Sequence, residues 1–224
     1  MTLLLTVIDQ SPVHQHQTLV TAPGLSLELA IECEQLGYHR YWLAEHHNSI
    51  QFSGTAPEIL LTRIASATRS MRVGSGGVML SHYSPYKVAE TFALLGGLFP
   101  GRVDLGIGRA PGGGTMSSHA LAMPGRVPDV DQFPAQAAML CAFLRGGFPI
   151  GHGYDVLTFD LPVKSMPSLW MLGSGGEVPN WPVNWGWAWR WRSSSPQMPA
   201  LREFLTITDG HGNVLDLPAL LPVF

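Results

Sequence analysis

The stretch Tyr41-Trp42-Leu43-Ala44-Glu45-His46-His47 is an apolar run that ends abruptly in one acid and two imidazoles. This pattern predicts a buried strand whose C-terminal end carries chemistry. In barrels of alternating strands and helices, the functional residues lie at the C-terminal ends of the strands. Because neighbouring strand residues point to opposite faces, Glu45 and His47 are expected on one side and His46 on the other, unless the strand ends before them.

Two further stretches have the same form. Residues 73–80 are apolar and glycine-rich and run into Ser81-His82, and residues 103–108 run into Arg109. Segments with a helical period separate these strands, and such alternation indicates parallel strands joined by crossover helices. The sequence therefore predicts an α/β fold of the barrel type, with His46, His82 and Arg109 clustered at one end of it.

The same reading places five strands and four helices along the chain. The predicted strands cover residues 3–8, 41–45, 73–80, 103–107 and 169–172, and the predicted helices cover 25–36, 57–67, 84–98 and 133–145. Residues 110–130, rich in glycine and proline, are predicted to form a long loop, which in a compact domain is usually functional or mobile. A sixth strand is an open alternative near residues 185–191, where tryptophan alternates with other residues.

Composition indicates one globular domain over residues 1–224, since 46% of the residues are hydrophobic and 13% are charged. The net charge of −3 gives no electrostatic reason to expect a nucleic-acid partner. No apolar run reaches about 18 residues, so no membrane span is predicted. The N-terminus is read as a first strand rather than a signal peptide, and a cytoplasmic location is expected. Cys33 and Cys141 lie in apolar helical patterns and are predicted to be buried free thiols.

His46 is the candidate catalytic residue, because imidazole changes charge near neutral pH and suits proton transfer. The alternative for His46 is a strand-end histidine bonded to a loop carbonyl. The histidines and Glu45 also raise the question of a metal site, but no HExxH or CxxC spacing supports one, and none is predicted.

Arg109 and two glycine-rich segments are the candidate ligand-binding features. A guanidinium at a strand end binds a phosphate or carboxylate through two parallel hydrogen bonds, although an ordinary salt bridge is the alternative. The segment Gly173-Ser174-Gly175-Gly176 offers bare N–H groups to a phosphate. Gly76-Gly77 inside a strand indicates a bulge or the close approach of a flat ligand, with close packing of a helix as the alternative.

In this order, the segments resemble the bacterial luciferase-like monooxygenase family from about residue 3 to residue 176. The resemblance implies a (β/α)8 TIM-type barrel that binds reduced FMN, supplied by a reductase, and oxidises an aldehyde-like substrate with O2 through a flavin peroxide. It also implies a homodimer. His46 matches the active-site histidine of the family, and Gly76-Gly77 matches a non-prolyl cis peptide beneath the flavin ring. Arg109 and Ser174 match residues near the flavin phosphate, and the remaining expected cofactor-binding residues are Glu45, His82, Gly173 and Gly175.

The chain departs from the family pattern after Gly176. A complete barrel of this type needs about 250 residues, so the barrel is expected to be incomplete at its C-terminal end, with residues 177–224 a divergent segment. The helix expected there is replaced by a proline- and tryptophan-rich run, and one hypothesis is a local frameshift across codons 175–195. Three alternatives stay open: a deazaflavin-dependent oxidoreductase, a flavin-binding protein without turnover, and an inactive fragment whose open sheet edge is capped by a second subunit.

Overall fold

The computed structural model describes residues 4–123, 125, 132–145, 148, 151–157, 159 and 162–172, together with the backbone of residues 190–191, 207–208 and 214–215. Strands and helices alternate along these residues. The strands are β1 (Thr6–Asp9), β2 (Arg40–Leu43), β3 (Arg72–Met79), β4 (Val103–Gly108), β5 (Ser168–Leu172), β6 (Arg190–Trp191), β7 (Ile207–Thr208) and β8 (Val214–Leu215). The α-helices are α1 (Ala22–Gln35), α2 (Pro57–Ala67), α3 (Pro85–Leu98), α4 (Thr115–Leu121) and α5 (Phe133–Arg145).

Six strands form one sheet in the order β1-β2-β3-β4-β5-β6, and every described pair in it is parallel. Strands β7 and β8 form a separate antiparallel pair. The predicted α/β fold with a parallel sheet is therefore confirmed, and each of the five predicted strands is present. Because the strands are parallel and adjacent, their C-terminal ends lie along one edge of the sheet.

One face of the sheet packs against the helices. Tyr41, Leu43, Val73, Leu105 and Ile107 project from alternate strand positions into a core shared with α1, α2, α3 and α5. All five are at most 2% exposed. Such continuous burial requires the apolar runs that identified these strands in the sequence.

The opposite face, which we call the Trp42 face, carries the intervening residues Arg40, Trp42, Gly74, Asp104 and Trp170. Asp104 is fully buried and accepts hydrogen bonds from Arg40 Nε and Arg72 Nε, both at 3.0 Å, and from Trp42 Nε1 at 3.1 Å. Because a buried carboxylate is tolerated only when it is paired and hydrogen-bonded, these donors fix β2, β3 and β4 to one another.

Strand β3 is interrupted by a bulge at Gly76 and Gly77. Ser75 pairs with Leu105 and Val78 with Ile107, so that two residues of β3 lie opposite the single residue Gly106 of β4. The Gly76–Gly77 peptide bond is cis. The bulge predicted from the glycine pair is thus confirmed, as is the cis peptide implied by the family resemblance.

Residues of neighbouring strands, rather than a helix, approach these glycines: the Trp42 and Ile8 side chains lie nearest Gly76, and the Leu172 side chain and Gly106 backbone lie nearest Gly77. A Cβ atom on Gly77 would lie 2.8 Å from the Gly106 carbonyl oxygen, and one on Gly106 would lie 2.2 Å from the Ser75 carbonyl oxygen. The alternative of close helix packing is therefore wrong at this position.

Two predictions about the connections need correction. Residues 110–130 were expected to form a loop throughout, but α4 occupies Thr115–Leu121. Its serine, threonine and histidine residues have low helix propensity, so the sequence carries little helical signal. Helix α1 begins at Ala22 rather than at Leu25, with Pro23 in its first turn.

Both cysteines are buried and free, as predicted. Burial raises the pKa of the Cys141 thiol to about 12. None of the helices in the described part of the chain has both the length and the apolar character needed to cross a bilayer.

Candidate functional site

Glu45, two residues beyond the end of β2, is a buried carboxylate with three donors. It is 1% exposed. Its Oε1 atom accepts hydrogen bonds from Tyr83 Oη and His47 Nε2, each at 2.6 Å, and its Oε2 atom accepts one from the Met79 N–H at 3.0 Å. Glu45 therefore ties the end of β2 to the end of β3 and to Tyr83, two residues before α3 begins. The Glu45 and His47 side chains lie together, but β2 ends at Leu43, before both residues, so strand alternation does not account for their contact.

The ring of His46 lies elsewhere, against Phe52. The two ring centroids are 4.6 Å apart and the planes are inclined by 32°. The backbone N–H of His46 donates to the Gly54 carbonyl at 2.8 Å. The Nδ1 atom is buried and has no hydrogen-bond partner among the described residues. The alternative in which a loop carbonyl binds this imidazole is therefore not seen in the described part of the chain.

Burial lowers the pKa of His46, since the charged imidazolium loses hydration there. Glu45 works in the opposite direction through its negative charge, and His47 adds to the lowering. The net direction is downward from the ordinary value of 6.5. A lowered pKa favours the uncharged form of the His46 ring, which is the form that accepts a proton.

His82 fastens the loop that follows β4. Its Nε2 atom lies 2.7 Å from the Pro111 carbonyl oxygen. Because a carbonyl only accepts, Nε2 carries the proton, and in a neutral ring Nδ1 is then a bare acceptor. This Nδ1 atom is buried without a hydrogen-bond partner among the described residues. A second hydrogen bond holds the same loop, since the His47 N–H donates to the Gly112 carbonyl at 2.8 Å.

Arg109 follows the last residue of β4 and is exposed. It makes no ion pair with any residue that the structure describes, so the salt-bridge alternative finds no support there. The neighbouring strand β5 ends at Leu172, which pairs with Gly108 in the sheet. The predicted cofactor-binding residues Gly173, Ser174 and Gly175 come next in the chain, but they lie outside the described residues.

The predicted residues that the structure describes lie at the C-terminal edge of one sheet. His46 follows β2, His82 ends the short 3-10 turn after β3, and Arg109 follows β4, in the order in which these strands are paired. Gly76 and Gly77 lie within β3, two residues from its end. The sequence therefore placed these groups on the correct edge of the sheet, while their role in binding a cofactor stays a prediction.

Towards the C-terminal ends of the strands, the Trp42 face carries two residues without side chains, Gly76 and Gly108. A Cβ atom on Gly76 would already lie 3.2 Å from Trp42 Cβ and 3.5 Å from Ile8 Cγ2. A Cβ atom on Gly108 would have Met79 Sδ, at 3.7 Å, as its nearest neighbour. Glycine at strand positions of this kind allows a flat group to approach the backbone closely. The site thus offers a planar ligand a surface without side chains, together with the imidazole of His46 and the guanidinium of Arg109.

Two functional candidates were missed in the sequence. Tyr83 was read only as part of the segment before a helix, and Phe52 only as part of a polar loop. Their contacts with Glu45 and His46 depend on how separate loops fold back on the sheet. Within the part of the chain that the structure covers, no group of three or more His, Cys, Asp or Glu residues is arranged to hold a metal ion.

Comparison with known proteins gives consistent results. The model of the family described as luciferase-like monooxygenase matches residues 1–136. The protein YwcH of Bacillus subtilis (strain 168) is 46% identical over 173 residues, and the N-acetyl-S-alkylcysteine monooxygenase of the same organism is 44% identical over 173 residues. Each match covers 77% of this chain and 52% of the relative. The chain therefore spans about half the length of these curated relatives.

Three solved structures share the fold. Apo-MsnO8 has a TM-score of 0.69 and 41% identity, over 78% of this chain and 51% of that one. The oxygenating constituent of 3,6-diketocamphane monooxygenase from Pseudomonas putida, in complex with FMN, has a TM-score of 0.63 and 16% identity, over 78% and 52%. An F420-dependent secondary alcohol dehydrogenase has a TM-score of 0.53 and 20% identity, over 78% and 53%. At such low identity, the last two show likeness of fold alone.

Proposed function

The chain belongs to the luciferase-like monooxygenase family, and from this premise we propose that it carries the flavin site of an FMN-dependent monooxygenase that oxidises a small, aldehyde-like organic substrate with O2. The observation that carries the proposal is the order of groups along one edge of the sheet, with His46 after β2, the glycine bulge in β3 and Arg109 after β4. Support comes from the relative named as a monooxygenase at 44% identity and from the FMN complex that shares the fold.

The proposal includes the architecture of the whole protein. Six parallel strands in chain order agree with the (β/α)8 barrel of this type of enzyme, in which ligands bind at the C-terminal ends of the strands. We propose one barrel domain over residues 1–224, with 177–224 as its divergent part. A reductase that supplies reduced FMN, a second copy as partner and a cytoplasmic location belong to the same proposal. Exposed apolar side chains on α2 and α3, at Ile59, Leu94 and Leu98, agree with a partner on that side.

Each residue has a distinct role in the proposed reaction. Reduced FMN supplies the electrons for O2 chemistry when it is bound. The bare backbone at Gly76 and Gly108 receives its flat ring, and the guanidinium of Arg109 binds its phosphate through paired hydrogen bonds. His46 accepts or returns a proton at its imidazole. Both oxygens of Glu45 are occupied by internal donors, so we infer that Glu45 acts by positioning, and its direct contact with a cofactor stays a prediction.

Binding titrations with FMN and riboflavin test this assignment. We expect the chain to bind FMN, and Arg109→Gln to weaken that binding by about 10- to 100-fold, since hydrogen bonds to charged groups contribute about 1.5–3 kcal/mol. Riboflavin lacks the phosphate, so the same variant should leave its binding unchanged. Arg63→Gln, at an exposed position on α2, is the matched control and should bind FMN like the parent chain. Failure of the parent chain to bind any flavin contradicts the proposal.

Oxygen uptake with reduced FMN and a long-chain aldehyde separates an enzyme from a flavin-binding protein without turnover. We expect turnover by the parent chain and a loss of about 100-fold or more in His46→Gln, because general acid–base catalysis contributes about that much. FMN affinity should stay close to normal in this variant. FMN binding without any oxygen uptake favours the binding protein.

A deazaflavin-dependent oxidoreductase is the second candidate. The observation that favours it is the shared fold of the F420-dependent secondary alcohol dehydrogenase. A parallel titration with a deazaflavin distinguishes the two, because the cofactor bound more tightly identifies the branch of chemistry.

A further inference from the structure

We propose that Phe52 is a positioning residue for His46, holding the imidazole in a fixed, water-poor place by means of a loop anchored to the chain after β1. The inference deepens the proposed function, and it rests on that function only for its chemical meaning, since His46 is the proposed proton-exchanging group. The contact and its anchoring are features of the structure itself.

The Phe52 ring lies against the imidazole of His46. Among the described residues, no side chain or carbonyl holds His46 Nδ1 by a hydrogen bond, so nothing polar fixes the orientation of the ring from that side. Phe52 lies with its centroid 4.6 Å from that of His46 and its plane inclined by 32°, within the range of aromatic pairs that attract each other. The Phe52 ring is therefore in a position to define where the imidazole lies.

The loop that carries Phe52 is itself anchored to the segment after β1. The Val13 N–H donates to the Gln51 carbonyl at 2.8 Å, and the Ser53 N–H donates to the Ser11 carbonyl at 2.9 Å. Between these two bonds, Pro12 and Phe52 form an isolated antiparallel bridge. Backbone bonds on both sides of Phe52 fix the backbone position from which its ring reaches His46.

A network of buried hydrogen bonds connects the segment after β1 to the sheet and to α1. The Ser11 N–H donates to Asp9 Oδ1 at 2.7 Å, and Ser26 Oγ lies 3.0 Å from Ser11 Oγ. Tyr41 Oη donates to Asp9 Oδ2 at 2.7 Å. Asp9, Ser11, Ser26 and Tyr41 are all buried. The position of Phe52 is thus linked through the loop to the packed interfaces of β1, β2 and α1.

Removing the ring should change the state of His46 in a predictable direction. Burial is the main cause of its lowered pKa, and the charged or titratable groups that act on it are Glu45 and His47. Neither is altered by a change at Phe52. Admitting water beside the imidazole should therefore raise its pKa towards the ordinary value, without any change in the charges around it.

The test is an NMR titration of histidine ring signals in the full chain without flavin, with the His46 signal assigned from its loss in His46→Gln. We expect an upward shift of the His46 pKa in Phe52→Ala and a smaller shift in Phe52→Leu, which retains apolar cover. Phe148→Ala is the matched control, because Phe148 stacks on a different histidine, His152, with centroids 4.9 Å apart. It should leave the His46 titration unchanged.

An unchanged His46 titration in folded Phe52→Ala overturns the inference, and so does an equal shift in Phe148→Ala. Where Phe52→Ala does not fold, Phe52→Leu decides in the same way: an upward shift supports positioning and no shift overturns it. Since no flavin is present, these results are independent of the FMN titration. If the parent chain does not bind FMN, the proposed function is contradicted, but the result on Phe52 still holds.

Discussion

At the scale of single residues, the buried carboxylate of Glu45 is the group on which the end of β2 depends. Tyr83 Oη donates to it at 2.6 Å, and burial together with this bond raises the pKa of Tyr83 far above its usual range. The phenol is therefore a permanent donor at any pH of interest. It satisfies a charge that would be costly to leave unpaired in the interior.

Tyr83→Phe should lower the free energy of unfolding by about 1.5–3 kcal/mol, because it removes one hydrogen bond to a buried charged acceptor. Urea denaturation followed by circular dichroism measures the change. Tyr38→Phe is the control, since the Tyr38 hydroxyl makes no hydrogen bond to the described residues, and it should change stability by less than about 0.5 kcal/mol. Equal effects of the two substitutions would show that the bond to Glu45 contributes nothing specific.

At the scale of the elements, the close approach of β3 and β4 at the bulge is the feature that demands glycine. A Cβ atom on Gly106 would meet the Ser75 carbonyl oxygen at 2.2 Å, and backbone cannot move aside as a flexible side chain can. Gly106→Ala should therefore destabilise the fold by about 1–3 kcal/mol or more, as overpacking does elsewhere.

Gly97→Ala is the matched control for Gly106→Ala. Gly97 lies in α3, and a Cβ atom there would meet nothing within 4 Å. Since alanine is the better helix former, this substitution should stabilise the protein by about 0.5–1 kcal/mol. Both substitutions add one methyl group. Changes of opposite sign in the free energy of unfolding, measured by urea titration, would therefore show that the room available for a Cβ atom decides the outcome. A stable Gly106→Ala protein would contradict the strand packing described above.

The connection between α2 and β3 depends on Glu34 of α1. Its carboxylate accepts hydrogen bonds from the backbone N–H groups of Arg69, Ser70 and Met71 at 2.7–2.9 Å. Burial acts to raise the pKa of Glu34, but these three bonds outweigh it, and the net direction is below the ordinary value of 4.5. A carboxyl group with a lowered folded-state pKa stabilises the fold above its unfolded pKa and loses that contribution as the pH falls through the folded value.

Glu34→Gln should accordingly cost about 1–2 kcal/mol at pH 7, a value in the lower part of the range for charged hydrogen bonds because the site is partly exposed. The difference from the parent chain should shrink steadily below about pH 4. Unfolding curves measured from pH 3 to pH 7 test both statements. Glu28→Gln, at an exposed position of the same helix, should show neither effect, and a pH-independent loss in Glu34→Gln would argue against the carboxylate as its cause.

At the scale of the whole molecule, the elements were predictable where the pattern of apolar residues is local. The helix at Phe133–Arg145 has the predicted bounds, whereas β2 ends at Leu43 rather than at the predicted residue 45. Helix α4 was missed because its polar residues carry no helical period. Phe52 and Tyr83 were missed for another reason: their contacts join segments that are distant in sequence, and strand patterns do not encode where a loop returns.

Flavin binding should raise the thermal stability of the sheet as a whole, because the proposed site includes residues at the ends of β2, β3 and β4. A ligand at 100 times its dissociation constant stabilises a folded protein by about 2.7 kcal/mol. For a chain of this size that corresponds to a rise in Tm of about 5–10 °C. Thermal unfolding with and without saturating FMN measures it. The rise should be smaller for Arg109→Gln at the same FMN concentration and normal for Arg63→Gln. An unchanged Tm at saturating FMN would mean that flavin does not engage these strand ends together.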